Sequence, residues 1–169
     1  MKFCPMCGMS QWNKGATSCE YCEYIEKDFA LLTPLEIGEL MSSYDYTVLE
    51  DGVRINSVKN GRDISLRGAV AIPSFVVEIG REAFAGCKFI SRLDLPKSLR
   101  SIGDRAFAWC RDLFDVFIPE SVEHIGKEAF LDCYDLGVVC VASPSLPDGW
   151  DTEWLEGCDA RVEWSSTDE

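Results

Sequence analysis

Four cysteines near the N-terminus have the residue type and the spacing of metal ligands. Cys4 and Cys7 form one C-x2-C pair, and Cys19 and Cys22 form a second, with eleven residues between the two pairs. Four thiolates make the closed tetrahedral cage that zinc prefers in structural sites, with no coordination position left open for catalysis. The spacing therefore predicts one structural Zn2+ held by these four side chains.

The segment that carries these cysteines is too short to bury a hydrophobic core of its own. Metal binding would have to supply its folding free energy, on the order of 10–16 kcal/mol in apparent terms. The start Cys4-Pro5-Met6-Cys7-Gly8 resembles the zinc-ribbon family, but Glu23 follows the second pair where a glycine is common. The resemblance implies a zinc ribbon over residues 1–28. A pair of redox-active dithiols without metal is the alternative interpretation.

The remaining five cysteines have other expected roles. Cys87, Cys110 and Cys133 recur every 23 residues, which favours a column of packing groups, because buried cysteine behaves as a small hydrophobe. Cys140 is expected on an outer surface and Cys158 in a C-terminal cap, with a Cys140–Cys158 bond under oxidation as the alternative. Nine cysteines without a recognisable export signal favour a reducing compartment, and we expect a cytoplasmic protein.

No residue pattern indicates catalysis, and we expect a protein that is not an enzyme. The single histidine, His124, aligns with Ser101 and Glu78 of the other repeats, at a position that should face water. No phosphate-binding loop, nucleophile elbow or dinucleotide fingerprint occurs. The formal charge of −13 argues against a partner bound mainly through phosphate contacts, so nucleic acid is disfavoured. No apolar run approaches the ~18 residues of a membrane span.

Residues 72–141 hold three copies of one pattern at a period of 23 residues, and this repeat must position any surface site. Such a period predicts a solenoid, in which each coil buries its apolar face against its neighbours. Each copy begins with a short strand whose alternate residues point inward, as Leu93 and Leu95 do in one copy and Val116 and Ile118 in the next. The strand residues expected to face outward are Ala69, Ala71, Arg92, Asp94, Asp115, Phe117, Val138 and Cys140.

The second half of each copy is expected to close the coil. A tight bend is predicted at a recurring glycine, which is Gly80, Gly103 or Gly126. The Ala-Phe pair that follows is expected to begin a short helical turn that directs its phenylalanine inward. If the coils stack, three rings must therefore be equivalent inward neighbours: Phe84, Phe107 and Phe130.

The repeat closely resembles the BspA-like leucine-rich repeat family, as in Ile118-Pro119, Ile125-Gly126, Ala129-Phe130 and Cys133. The resemblance implies an α/β solenoid of parallel short strands and short helical turns. The predicted domains are the zinc ribbon (1–28), a connector with a short helix (29–43), an N-terminal cap hairpin with the first strand (44–71), the repeats (72–141) and a C-terminal cap (142–169).

The resemblance also implies a role in protein binding, because such repeats commonly mediate contacts with other proteins. The candidate partner surface is the set of outward strand residues Arg92, Asp94, Asp115, Phe117, Val138 and Cys140. Phe117 is the candidate anchor, since a large aromatic on a strand face suits a partner contact. The alternatives are coverage by the connector helix and a single apolar surface residue of the kind that every protein has. A nucleic-acid- or ribosome-associated zinc-ribbon protein and a thiol or zinc redox sensor are the alternative functions. The oligomeric state is left open.

Overall fold

The computed structural model describes Gly38, residues 41–59 and residues 66–165 of the 169-residue chain. Within these residues the chain forms ten short strands. They are β1 (Tyr44–Val48), β2 (Val53–Val58), β3 (Gly68–Ala71), β4 (Val76–Ile79), β5 (Ile90–Asp94), β6 (Ser101–Ile102), β7 (Asp115–Ile118), β8 (His124–Ile125), β9 (Val138–Val141) and β10 (Arg161–Trp164).

The strands form two sheets on two sides of a solenoid. The first sheet has the order β1-β2-β4-β6-β8, and the second has the order β10-β9-β7-β5-β3, so the chain returns to each sheet once per coil. Neighbouring strands are parallel except β1 and β2, which form an antiparallel hairpin. The predicted 23-residue register is confirmed, because Leu93 pairs with Val116 and Val116 pairs with Val139.

A column of phenylalanine rings runs through the core of the solenoid. Phe84, Phe107 and Phe130 are fully buried, and the ring centroids of successive members are 5.2 Å apart in stacked geometry. The prediction of equivalent inward rings is confirmed. Because a buried phenylalanine removes roughly 150–250 Å² from water, this column is a major part of the hydrophobic stabilisation of the repeats.

Other aromatic side chains cover both ends of the phenylalanine column. Tyr44 packs edge-on against Phe84 with a centroid distance of 5.8 Å, and Trp154 packs edge-on against Phe130 at 5.9 Å. Burial raises the pKa of the Tyr44 hydroxyl to about 12, with a smaller contribution from Cys87. The first and last rings of the column are therefore as fully buried as the middle one, although their outer contacts are edge-on instead of stacked.

The predicted helical turn in each repeat is wrong. Residues 66–165 contain no helix, and each Ala-Phe segment forms consecutive turns instead. The N–H groups of these turns alternate between two kinds of partner: Ala83 donates to Gly80 of its own coil at 3.3 Å, whereas Phe84 donates to Ala106 of the next coil at 2.7 Å. A helix would direct every N–H to its own chain four residues back, so it would remove the hydrogen bonds between coils.

Positive φ angles are a second reason why these segments are not helical. Glu82, Arg105 and Glu128 occupy equivalent positions and have φ angles of 54°, 52° and 55°. A residue in this left-handed region ends an α-helix, and a non-glycine residue there costs of order 1–3 kcal/mol. The hydrogen bonds between coils must therefore hold this backbone in place.

The recurring glycine is required for close packing between coils. None of Gly80, Gly103 and Gly126 has a positive φ. A Cβ atom on Gly103 would lie 2.6 Å from the Arg81 nitrogen and 2.8 Å from the Gly80 carbonyl carbon of the preceding coil. Glycine occurs here because the neighbouring backbone leaves no room for a side chain.

The predictions for the N-terminal segment lie outside the described residues. They include the zinc ribbon over residues 1–28 with its ligands Cys4, Cys7, Cys19 and Cys22. The predicted connector helix also lies outside, apart from Gly38 and Met41, and Met41 is fully buried in the hydrophobic core. In the described part of the chain, no helix has the length and apolar character to pass through a lipid bilayer.

Candidate functional site

The outer face of the second sheet carries the candidate partner-binding residues in two rows. Strand pairing aligns the first row, which consists of Ala69, Arg92, Asp115, Val138 and Arg161. The second row consists of Ala71, Asp94, Phe117, Cys140 and Glu163. Alternate strand residues face opposite ways, and the residues between the rows are buried, except Val162, which is partly buried. The structure thus places the six predicted residues together on one face.

Phe117 is a large apolar side chain near the middle of this face. Its exposed fraction is 52%, although it belongs to a regular, fully paired strand. Its row neighbours, Asp94 and Cys140, have side chains too short to cover a phenyl ring. Among the described residues no segment buries this ring. The predicted connector helix, which was the alternative explanation for an outward phenylalanine here, lies mostly outside the described residues.

The charged residues of the face are partly paired with each other. Arg92 Nε lies 3.2 Å from Asp94 Oδ1, and Arg161 forms an ion pair with Glu163. Asp115 has no ion-pair partner within the described residues. Exposed ion pairs contribute only about 0–1 kcal/mol to stability. The main effect of these charges is therefore on the electrostatic potential at the surface of this face.

Phe114 lies beside the same face and was not predicted from the sequence. It immediately precedes β7, and its exposed fraction is 66%. Its N–H donates to the Ser91 carbonyl at 3.0 Å, and the Gly137 N–H donates to the Phe114 carbonyl at 3.0 Å. Phe114 could have been identified from the sequence because it is an aromatic residue at a position where the aligned copies have serine and glycine.

The recurring cysteines form the predicted packing column, and Cys158 extends it. Cys87, Cys110 and Cys133 are buried, and the five described cysteines are free thiols. Three of these thiols donate to a phenylalanine carbonyl of the preceding coil: Cys110 to Phe84 at 3.3 Å, Cys133 to Phe107 at 3.1 Å and Cys158 to Phe130 at 2.7 Å. These thiols are therefore internal hydrogen-bond donors as well as packing groups.

The pKa values of the three recurring thiols are raised, which matches a packing role. Burial raises the pKa of the Cys87 thiol to about 11 and also raises that of Cys110. A hydrogen bond between Cys133 and Cys158 raises the pKa of Cys133 and lowers that of Cys158. Cys140 lies on the outer face instead, with its Sγ 3.8 Å from the Glu163 carboxylate. The Cys140 thiol thus lies near a surface carboxylate, whereas the Cys158 thiol bonds to the backbone of the preceding coil.

His124 has the contacts of a structural side chain. It is exposed on the first sheet, aligned with Ser101, and its Nδ1 lies 2.6 Å from the carbonyl oxygen of Gly149. Within the described residues, no group of three or more His, Cys, Asp or Glu side chains is placed to hold a metal ion. The predicted ligands Cys4, Cys7, Cys19 and Cys22 are not among these residues.

Comparison with known proteins identifies the repeat. Residues 64–145 match the sequence profile described as "BspA type Leucine rich repeat region (6 copies)". A leucine-rich repeat protein from Bacteroides capillosus is similar in structure, with a TM-score of 0.59 and 23% identity over 73% of this chain and 95% of that chain. A leucine rich cell surface protein from Faecalibacterium prausnitzii has a TM-score of 0.49 and 21% identity over 75% of this chain and 40% of that chain. No curated protein sequence matches significantly.

The parallel coils and the regular outer strand face define a leucine-rich repeat solenoid. Residues 64–145, slightly less than half of the chain, match the profile of the BspA type repeat. The repeat class predicted from the sequence is confirmed, and the likeness to the Bacteroides capillosus protein shows the same fold.

Proposed function

We propose that this chain is a non-enzymatic protein-interaction module that binds a partner protein on the outer face of its second sheet. The contact residues are Arg92, Asp94, Asp115, Phe117, Val138 and Cys140. A solenoid of stacked coils suits this role, because its repeated strands form an extended and rigid surface. The free protein then needs little reorganisation on binding, which favours affinity.

The exposure of Phe117 carries the proposal. The phenyl ring of Phe117 lies in the middle of a regular sheet with 52% of the residue exposed, and it is not part of the hydrophobic core of its own chain. Aromatic side chains are enriched among the residues that dominate binding free energy at protein interfaces. The ring is therefore the expected anchor of the contact.

Substituting Phe117 with glutamate should abolish partner capture. The variant would place a charge at the centre of the contact. The immobilised wild-type chain should recover a specific partner from lysate of the source cell, and the Phe117→Glu chain should not. Quantitative mass spectrometry of the captured proteins measures the difference. The matched control is Val48→Glu, because Val48 is 54% exposed on β1 of the other sheet. Equal recovery on the wild-type chain and on Phe117→Glu would refute the role of this face.

The N-terminal segment is proposed to be a zinc ribbon that holds one structural Zn2+ through Cys4, Cys7, Cys19 and Cys22. The support is the spacing of two C-x2-C pairs. The two alternative functions, a nucleic-acid- or ribosome-associated protein and a thiol or zinc redox sensor, also depend on this segment, which lies outside the described residues.

Removing one predicted ligand should release the metal. We expect one zinc per wild-type chain, by elemental analysis and native mass spectrometry, and little or none in Cys19→Ser, because a three-thiolate site binds a structural ion far more weakly. Cys140→Ser is the control, since Cys140 lies on the outer face of the solenoid and should leave the zinc content unchanged. Zinc retained in full by Cys19→Ser would contradict the ligand assignment.

A further inference from the structure

Phe114 and Phe117 form an exposed apolar pair on one coil, here called the Phe114–Phe117 patch. They are three residues apart, which corresponds to about 10 Å along an extended strand. Neither ring is covered by its row neighbours, which for Phe114 are Ser91 and Gly137. Single exposed apolar residues are common on protein surfaces, but two large exposed rings on the same coil favour a contact site.

Charge is unevenly distributed along the solenoid. The described residues up to Ile118 contain nine acidic and ten basic side chains, whereas residues 119–165 contain eleven acidic side chains and two basic ones, Lys127 and Arg161. The eleven are Glu120, Glu123, Glu128, Asp132, Asp135, Asp148, Asp151, Glu153, Glu156, Asp159 and Glu163.

Most of this negative charge is not neutralised within the described residues. Three of the eleven carboxylates form ion pairs there, with one basic side chain each: Glu128 with Arg105, Glu153 with Lys127 and Glu163 with Arg161. The coils on the C-terminal side of the Phe114–Phe117 patch therefore present a strongly negative potential to an approaching protein.

The negative potential extends to the outer face beside the patch. Cys140 follows Phe117 in its row, and its pKa is raised by burial and then by the carboxylates of Glu163 and Asp115, with Arg161 acting in the opposite direction. Asp115 itself lies between the two phenylalanines in sequence. A ligand that covers the rings thus meets carboxylates next to them.

We propose that the Phe114–Phe117 patch binds a positively charged segment of a partner protein. Two apolar side chains of the segment pack on the rings, and its Lys or Arg side chains lie over the acidic coils that contain β9 and β10. Opposite charge accelerates association, while the aromatic anchors contribute most of the binding free energy. A second copy of this chain fits poorly, because it would bring the same excess of carboxylates. The inference rests on the proposed function and specifies its class of partner.

Selection of peptides from a random display library on the immobilised full chain tests this inference. We expect the selected peptides to combine apolar side chains with an excess of Lys and Arg. For a synthetic selected peptide, the dissociation constant should rise about tenfold or more in the double variant Phe114→Ser/Phe117→Ser. It should change less than about twofold in Val48→Ser/Leu146→Ser, whose side chains are also exposed but lie elsewhere. Asp115→Asn and added salt should each weaken binding.

Several outcomes would overturn the inference. They are the absence of any selected peptide, peptides without a basic excess, and binding that survives the loss of both rings. Light scattering that shows a dimer of the wild-type chain and a monomer of Phe114→Ser/Phe117→Ser would identify a second copy as the occupant, which also overturns it. The inference and the proposed function can fail independently. Capture of an acidic partner that is lost in Phe117→Glu would refute the inference and leave the proposed function intact.

Discussion

Replacing Phe107 with alanine should lower the free energy of unfolding by about 3–5 kcal/mol. The ring is fully buried and stacks on Phe84 and Phe130, each at a centroid distance of 5.2 Å. Truncation removes both ring contacts and leaves a cavity, which the neighbouring coils cannot fill because their spacing is held by backbone hydrogen bonds. Chemical denaturation followed by circular dichroism measures the change.

Phe114→Ala is the matched control for this experiment. It removes the same atoms from the same coil, but the ring is 66% exposed. Its stability should therefore stay within about 0.5 kcal/mol of the wild-type value. Similar losses in the two variants would contradict the conclusion that the stacked rings, and not phenylalanine content in general, stabilise the repeats.

Replacing Gly103 with alanine should destabilise the protein by about 3 kcal/mol. The added Cβ would lie 2.6 Å from the Arg81 nitrogen, 2.8 Å from the Gly80 carbonyl carbon and 3.0 Å from the Arg81 Cα. These are backbone atoms, so no side-chain rotation can relieve the contact. The two coils would have to move apart, at the expense of the hydrogen bonds between them. Thermal and chemical denaturation both report this change.

Gly137→Ala provides the control for this substitution. The nearest atom to its added Cβ would be the Phe114 carbonyl oxygen at 4.0 Å, an ordinary contact distance. Alanine also reduces the conformational freedom of the unfolded chain, so the expected change lies between zero and a gain of about 1 kcal/mol. A loss at Gly137 as large as that at Gly103 would show that the clash between coils is not the cause.

The position of each strand residue could be predicted because the repeat compares several copies of one environment. Leu93, Val116 and Val139 share a register, and an apolar residue in each copy identifies the inward side of the strand. The same comparison identified the stacked phenylalanines. Helical turns were expected at the Ala-Phe pairs because local sequence carries no information about hydrogen bonds to the next coil, such as that from Phe84 to Ala106.

The candidate surface was predictable only in part. Phe117 follows from strand alternation, whereas Phe114 precedes the strand and breaks the simple alternation of inward and outward residues. Cys158 was expected in the C-terminal cap, yet its thiol continues the column, although it follows Cys133 by 25 residues instead of 23. Phe114 departs from strand alternation and Cys158 departs from the 23-residue period, although hydrogen bonding places both residues in register with the other coils.

The edge-on rings of Tyr44 and Trp154 have a consequence for the length of the array. Within the column each phenylalanine stacks on the ring of the neighbouring coil, and the contact becomes edge-on only at the two ends, where Tyr44 and Trp154 cover the outermost rings. Insertion or deletion of a whole 23-residue repeat between Tyr44 and Trp154 would preserve both of these end contacts. The length of the candidate partner surface can therefore change by whole coils without any change to the capping residues at either end.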